Sequence, residues 1–151
     1  MMAGRVRSVG ASAPAAAPKG SGVGARTILA FDFGERRTGV AIGQEIAATA
    51  RPLAVIQSTS DRERLARIEP LVREWAPDCF VVGRPLHPDG QAHALTARSE
   101  RFSRQLAERF RRPAYLVDER YSSVGAASDA ESAAEILRRF HAEGHAEGGL
   151  A

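Results

Sequence analysis

The stretch Ile28-Leu29-Ala30-Phe31-Asp32-Phe33-Gly34 constrains this chain more than any other. An apolar run delivers one carboxylate, Asp32, to a strand end, and Gly34 follows at once where a turn is needed. A second apolar run, Gly39 to Gly43, starts a few residues later, so the pair predicts a β-hairpin with an acid beside its turn. An acid on a rigid strand can hold a divalent metal, provided that further acids converge on it.

Downstream patterning supplies the rest of a sheet. Thr27–Phe33 and Thr38–Ile42 read as two strands and Ala50–Ile56 as a third, with Pro52 marking an edge or an end. Three strands so close together are most simply an antiparallel meander. From Asp61 to Trp75, Leu65, Ile68, Leu71, Val72 and Trp75 recur at helical spacing, with Ser60 or Asp61 to cap the helix and Pro77 to end it. Pro70 falls inside that helix, where it is able to kink it. Cys79–Val82 is a short continuous apolar strand, and Gly83 to Gly90 reads as a loop from its Gly and Pro content. A second helix is expected from Leu95 to Phe110, a fifth strand over Ala114–Val117 ending in Asp118-Glu119-Arg120, and a last helix from Asp129 with Ala133, Ile136, Leu137 and Phe140 inward. The order β-β-β-α-β-α-β-α predicts an α/β fold with a mixed five-stranded sheet flanked by helices.

At 151 residues the chain fits one domain with a proper core. Residues 1–26, rich in Ala, Gly, Ser and Pro, are expected to be a disordered tail, and 144–151 a flexible C-terminus. Arg5, Arg7 and Lys19, within residues 1–25, account for the whole formal charge of +3, so residues 26–151 balance 18 basic against 18 acidic groups. Bulk charge therefore does not argue for nucleic acid. No apolar stretch approaches a membrane span, the tail has no signal-peptide pattern, and the lone Cys79 suits a reducing compartment such as the cytoplasm.

The predicted order brings three acidic positions toward one edge. Asp32 ends the first strand, Asp118 and Glu119 follow the fifth, and Asp129 opens the last helix; sites in open sheets form outside the carboxyl ends of strands. Carboxylates gathered there repel unless a cation neutralises them, and oxygen ligands suit Mg²⁺ or Mn²⁺ rather than zinc. Two such ions about 4 Å apart serve phosphodiester cleavage. Each acid also has a structural use, Asp129 as a helix N-cap above all. His87, His93, His141 and His145 complete no tetrahedral zinc site, and neither a nucleophile elbow nor a phosphate-binding loop is present.

Asp32-Phe33-Gly34 with Gly39-Val40-Ala41, Ala50-Arg51-Pro52-Leu53, Val82-Gly83-Arg84-Pro85-Leu86, Asp89-Gly90 and Asp118-Glu119-Arg120 occur in an order that resembles the YqgF/RuvX family. Members of that family are described as Holliday-junction resolvases or as nucleases for the 5′ end of pre-16S ribosomal RNA. The resemblance runs from Thr27 to Phe140. It implies an RNase H-like nuclease domain over 27–143, with catalytic acids at Asp32, Glu119 and Asp129 and metal ligands among Asp32, Asp118, Glu119 and Asp129. Between Asp118 and Glu119 the choice stays open. The chain departs from the family pattern in its short Tyr121–Ser128 connection and in Arg84, which stands where an apolar residue is usual.

Arg36, Arg37, Arg51, Arg84, Arg98 and Arg120 are the candidate phosphate contacts, since arginine's planar fork suits bidentate binding. The resemblance implies a metal-dependent endonuclease acting on structured RNA in ribosome biogenesis, as a monomer or homodimer. A resolvase of branched DNA is the near alternative. A domain that keeps the fold as an RNA-binding or ribosome-assembly module, without catalysis, belongs to another class. The chain is too short for the two domains that an actin-like ATPase needs.

Overall fold

A computed structural model describes residues 26–120 and 128–143. The expected tail up to residue 25, the C-terminus 144–151 with His145, and all but Ser128 of the Tyr121–Ser128 connection lie outside the described residues.

The chain runs β1 (Thr27–Asp32), β2 (Arg37–Gln44), β3 (Arg51–Gln57), α1 (Asp61–Trp75), β4 (Cys79–Leu86), α2 (Thr96–Phe110), β5 (Ala114–Arg120) and α3 (Asp129–Ala142). The strands form one sheet in the order β3-β2-β1-β4-β5. The first three make the antiparallel meander, and β4 and β5 add parallel to β1. β3, with Pro52, is an edge strand, as its sequence implied. The expected mixed five-stranded α/β architecture is present.

Strand alternation divides the core in two. Leu29, Phe31, Phe80, Val82 and Ala114 face α1 and α2, where they meet Leu65, Ile68, Val72, Phe102 and Leu106. Ile28, Ala30, Cys79, Val81 and Val117 face the other way, onto Ala133, Ala134, Ile136, Leu137 and Phe140 of α3. Cys79 is buried in that second core, and burial pushes its thiol up to about 12, which leaves it an inert packing group.

Two strand ends differ from the sequence reading by more than two residues. β4 continues through Gly83 to Leu86 instead of turning at Gly83, and β5 continues through Asp118 and Glu119 instead of ending at Val117. The two extensions pair with each other, Gly83 with Val117 through Leu86 with Arg120, and this ladder overrides the local Gly and Pro turn signals.

Helix ends follow local chemistry. Ser60 caps α1 and Ser128 caps α3, each accepting the N–H of the glutamate three residues on, at 3.0 Å. Asp129 is therefore in the first turn of α3 and is not its cap. No described helix is long and apolar enough to cross a membrane.

Candidate active site

Parallel pairing of β1, β4 and β5 puts their carboxyl ends on one edge of the sheet. Asp32 ends β1 and, by alternation from Ile28 and Ala30, faces α3. Glu119 shares the face of Val117 and also points toward α3. Asp129 enters from above, in the first turn of that helix.

Two glycines make room for this convergence. Gly39 pairs with Asp32 across the hairpin, and the main-chain carbonyl of Asp129 occupies the space where a Cβ on Gly39 would lie. On β4, which separates β1 from β5, a Cβ at Gly83 would lie 2.5 Å from Ile136 Cδ1 and 3.3 Å from Glu119 Oε1. Bare backbone at these positions lets α3 close on the sheet and leaves a gap for the acids.

The electrostatics record the crowding. Burial, with the nearby Glu119 and Asp129 carboxylates adding to it, pushes Asp32 up to about 7; a hydrogen bond from the Ser132 hydroxyl opposes the shift. Burial also raises Glu119 above the ordinary carboxylate range, with the Arg139 cation pulling it back and Glu135 adding to the rise. Asp129 meets a cation directly, its Oδ2 lying 2.9 Å from Arg37 Nε.

The structure thus brings together Asp32, Glu119 and Asp129. Asp118 is not in this group: it projects from the opposite face of β5 and accepts from Arg84 Nε at 2.7 Å. Arg84 bonds Glu100 on α2 at 2.8 Å as well, so both acids hold it on the α2 side. Arg36 is exposed in the hairpin turn, and Arg98 bonds Glu35 of that turn at 2.5 Å. Arg51 is at the far end of the sheet, its guanidinium 5.7 Å from the Trp75 ring centroid. Arg120 closes β5. His87 and His93 pack as rings 5.0 Å apart in the β4–α2 loop, and His141 contacts the Thr49 carbonyl at 2.9 Å.

Sequence reasoning missed three contributors. Ser132 lies one turn beyond Asp129 and Arg139 two further turns along the same helix, a spacing that the sequence does contain. Arg64 had no such signal, because a charged residue on α1 reads as solvated. It is buried under the turn after Asp32, bonding the Glu35 carbonyl at 2.9 Å and Asp61 at 2.8 Å, with its guanidinium 4.7 Å from the centre of the Phe33 ring. The turn that carries Arg36 and leads into Arg37 is thereby anchored to α1.

The donor set is all carboxylate, and two of its members are raised toward the protonated state, which is the chemistry a hard divalent cation relieves. The side chains as they stand do not close a ready-made cage: among the described residues no three His, Cys, Asp or Glu groups are placed to hold a metal ion together. The residues fit Mg²⁺ or Mn²⁺ in kind, with side-chain adjustment needed to surround it.

The RuvX family profile, described as Holliday junction resolvase, matches residues 26–143. A Polaromonas protein named "Putative pre-16S rRNA nuclease" is 52% identical over 123 residues, covering 78% of this chain and 88% of its own. A Paraburkholderia phytofirmans protein of the same name is 44% identical over 126 residues, covering 76% and 86%. Among solved structures, Thermus thermophilus RuvC with a Holliday junction substrate matches at a TM-score of 0.53 and 14% identity, over 78% of this chain and 94% of that one. At such identity the likeness concerns the fold, which is RNase H-like.

Proposed function

Since the chain belongs to the RuvX family, we propose that it is a divalent-metal-dependent endonuclease that processes the 5′ end of pre-16S ribosomal RNA in the cytoplasm. Membership makes it a hydrolase of phosphodiester bonds. The choice of RNA rests on the names of its relatives at 44% and 52% identity. The observation that carries the site is the convergence of the half-buried Asp32 at the end of β1 with Glu119 of β5 and Asp129 in the first turn of α3.

In this reading Asp32, Glu119 and Asp129 hold the cation. When bound, Mg²⁺ or Mn²⁺ supplies positive charge for the phosphodiester oxygens and lowers the pKa of water. The chain itself does the positioning. β1 and β5 fix Asp32 and Glu119 on rigid strands, the packed Ile136 side of α3 excludes bulk water behind them, and the Ser132 hydroxyl orients Asp32. In the same reading Arg36, in the anchored hairpin turn, and Arg37, at the start of β2, receive substrate phosphates. Arg98, tied to Glu35, extends that basic edge.

Cleavage of branched DNA is the second reading, favoured by the description of the matching family. Incubating the protein with precursor ribosomal RNA and with a four-way DNA junction, each with and without Mn²⁺, separates the two. The proposal expects Mn²⁺-dependent cleavage of the RNA. Cleavage of the junction alone would replace it, and RNA binding without any cleavage would favour an assembly module.

A further inference from the structure

Arg37 and Asp129 form an ion pair at 2.9 Å, with the arginine side chain 63% and the aspartate 33% exposed. A pair so open to water is weak and easily screened. The Asp129 carboxylate has no capping duty, because Ser128 caps α3. The Asp129 main chain is packed against Gly39, so the carboxylate is able to rotate without moving the helix. Arg37 starts β2, beside the turn that Arg64 anchors, so its backbone is fixed while its guanidinium stands open to solvent.

A carboxylate oxygen engaged by a guanidinium cannot offer the same lone pair to a metal. We propose that Arg37 is an exchangeable counter-ion: it holds Asp129 while no divalent cation is bound, yields that carboxylate to Mg²⁺ or Mn²⁺, and is thereby freed for a substrate phosphate. This inference rests on the reading of Asp32, Glu119 and Asp129 as the metal site. It gives Arg37 a role opposite to that of a brace. A brace would hold Asp129 ready for the metal, and its removal would weaken metal binding.

The test is Mn²⁺ binding by isothermal titration calorimetry, without nucleic acid, on the full chain. The proteins are wild type, Arg37→Gln, Asp129→Asn, the double variant and Asp32→Asn. Arg37→Gln is expected to bind Mn²⁺ at least about threefold more tightly than wild type, the scale of a lost surface ion pair. That gain is expected to vanish in the Asp129→Asn background, since it comes from the pair. Equal or weaker binding by Arg37→Gln overturns the proposal. A gain that survives Asp129→Asn also overturns it, by showing general repulsion between Arg37 and the cation. Asp32→Asn separates the two levels: if it abolishes binding, the metal site stands whatever Arg37 does. Binding of Mn²⁺ by none of the proteins overturns the site and the exchange together.

Discussion

Gly39 has the main-chain carbonyl of Asp129 packed into the space that its own side chain would fill. The same glycine is the sheet partner of Asp32, so one backbone contact sets the distance between β1 and the first turn of α3. The neighbour is backbone and cannot swing aside as a side chain would. Gly39→Ala is therefore expected to cost about 1–3 kcal/mol, the usual range for overpacking. Cleavage should fall by more than the loss of folded protein explains. Urea unfolding and a cleavage assay on the same preparation check this, and an alanine variant with wild-type activity would contradict the contact's role.

Asp32 makes stability depend on pH in a direction that can be stated. Its folded-state value of about 7 lies above the ordinary 3.8, so between those limits the native protein holds a proton that the unfolded chain releases. Without metal, stability should fall as pH rises from about 4 to about 7 and then level off. Asp32→Asn carries no ionisable group there, so it should match wild type near pH 4 and exceed it at pH 8, by on the order of 2–4 kcal/mol. Thermal melts in chelator-containing buffer across that range measure the gap. A constant difference at all pH values would contradict the raised carboxyl.

The two acids at the end of β5 should behave differently. Glu119→Gln is expected to abolish Mn²⁺-dependent cleavage, because Glu119 faces α3 with Asp32. Asp118→Asn should retain most activity, since it disturbs only the exposed pair with Arg84 on the α2 side, worth about 1 kcal/mol or less. Parallel rate measurements settle the matter, and the reverse pattern would move the site to the other face of the sheet.

Why that choice was not legible in the sequence is physical. With β5 ending at Val117, the alternation that sends Asp118 and Glu119 to opposite faces was lost. The strand runs on because β4 runs on beside it, Arg84 pairing with Asp118 and Pro85 with Glu119. Gly83 and Pro85 read locally as turn signals, and only the partner strand overrules them. By contrast, the first hairpin and α1 are written in local chemistry: the apolar runs around Asp32, and the Ser60–Glu63 cap with Pro77 beyond the helix end. The Arg37–Asp129 pair and the burial of Arg64 join distant segments, and no local pattern encodes them.

Gly83 tests the spacing of the acids from the other side. A methyl group there would meet Ile136 Cδ1 and come within 3.3 Å of Glu119 Oε1. Gly83→Ala should weaken Mn²⁺ affinity measured by calorimetry, while far-ultraviolet circular dichroism shows the fold retained. Unchanged affinity would mean that Glu119 does not depend on the gap.

The most direct measurement is cleavage of precursor 16S ribosomal RNA by wild type and Asp32→Asn, each in Mn²⁺ and in chelator. Wild type is predicted to cut at the 5′ end of the mature RNA in Mn²⁺ alone, and Asp32→Asn to cut in neither condition. Cleavage by wild type in chelator, or full activity in Asp32→Asn, would contradict the account.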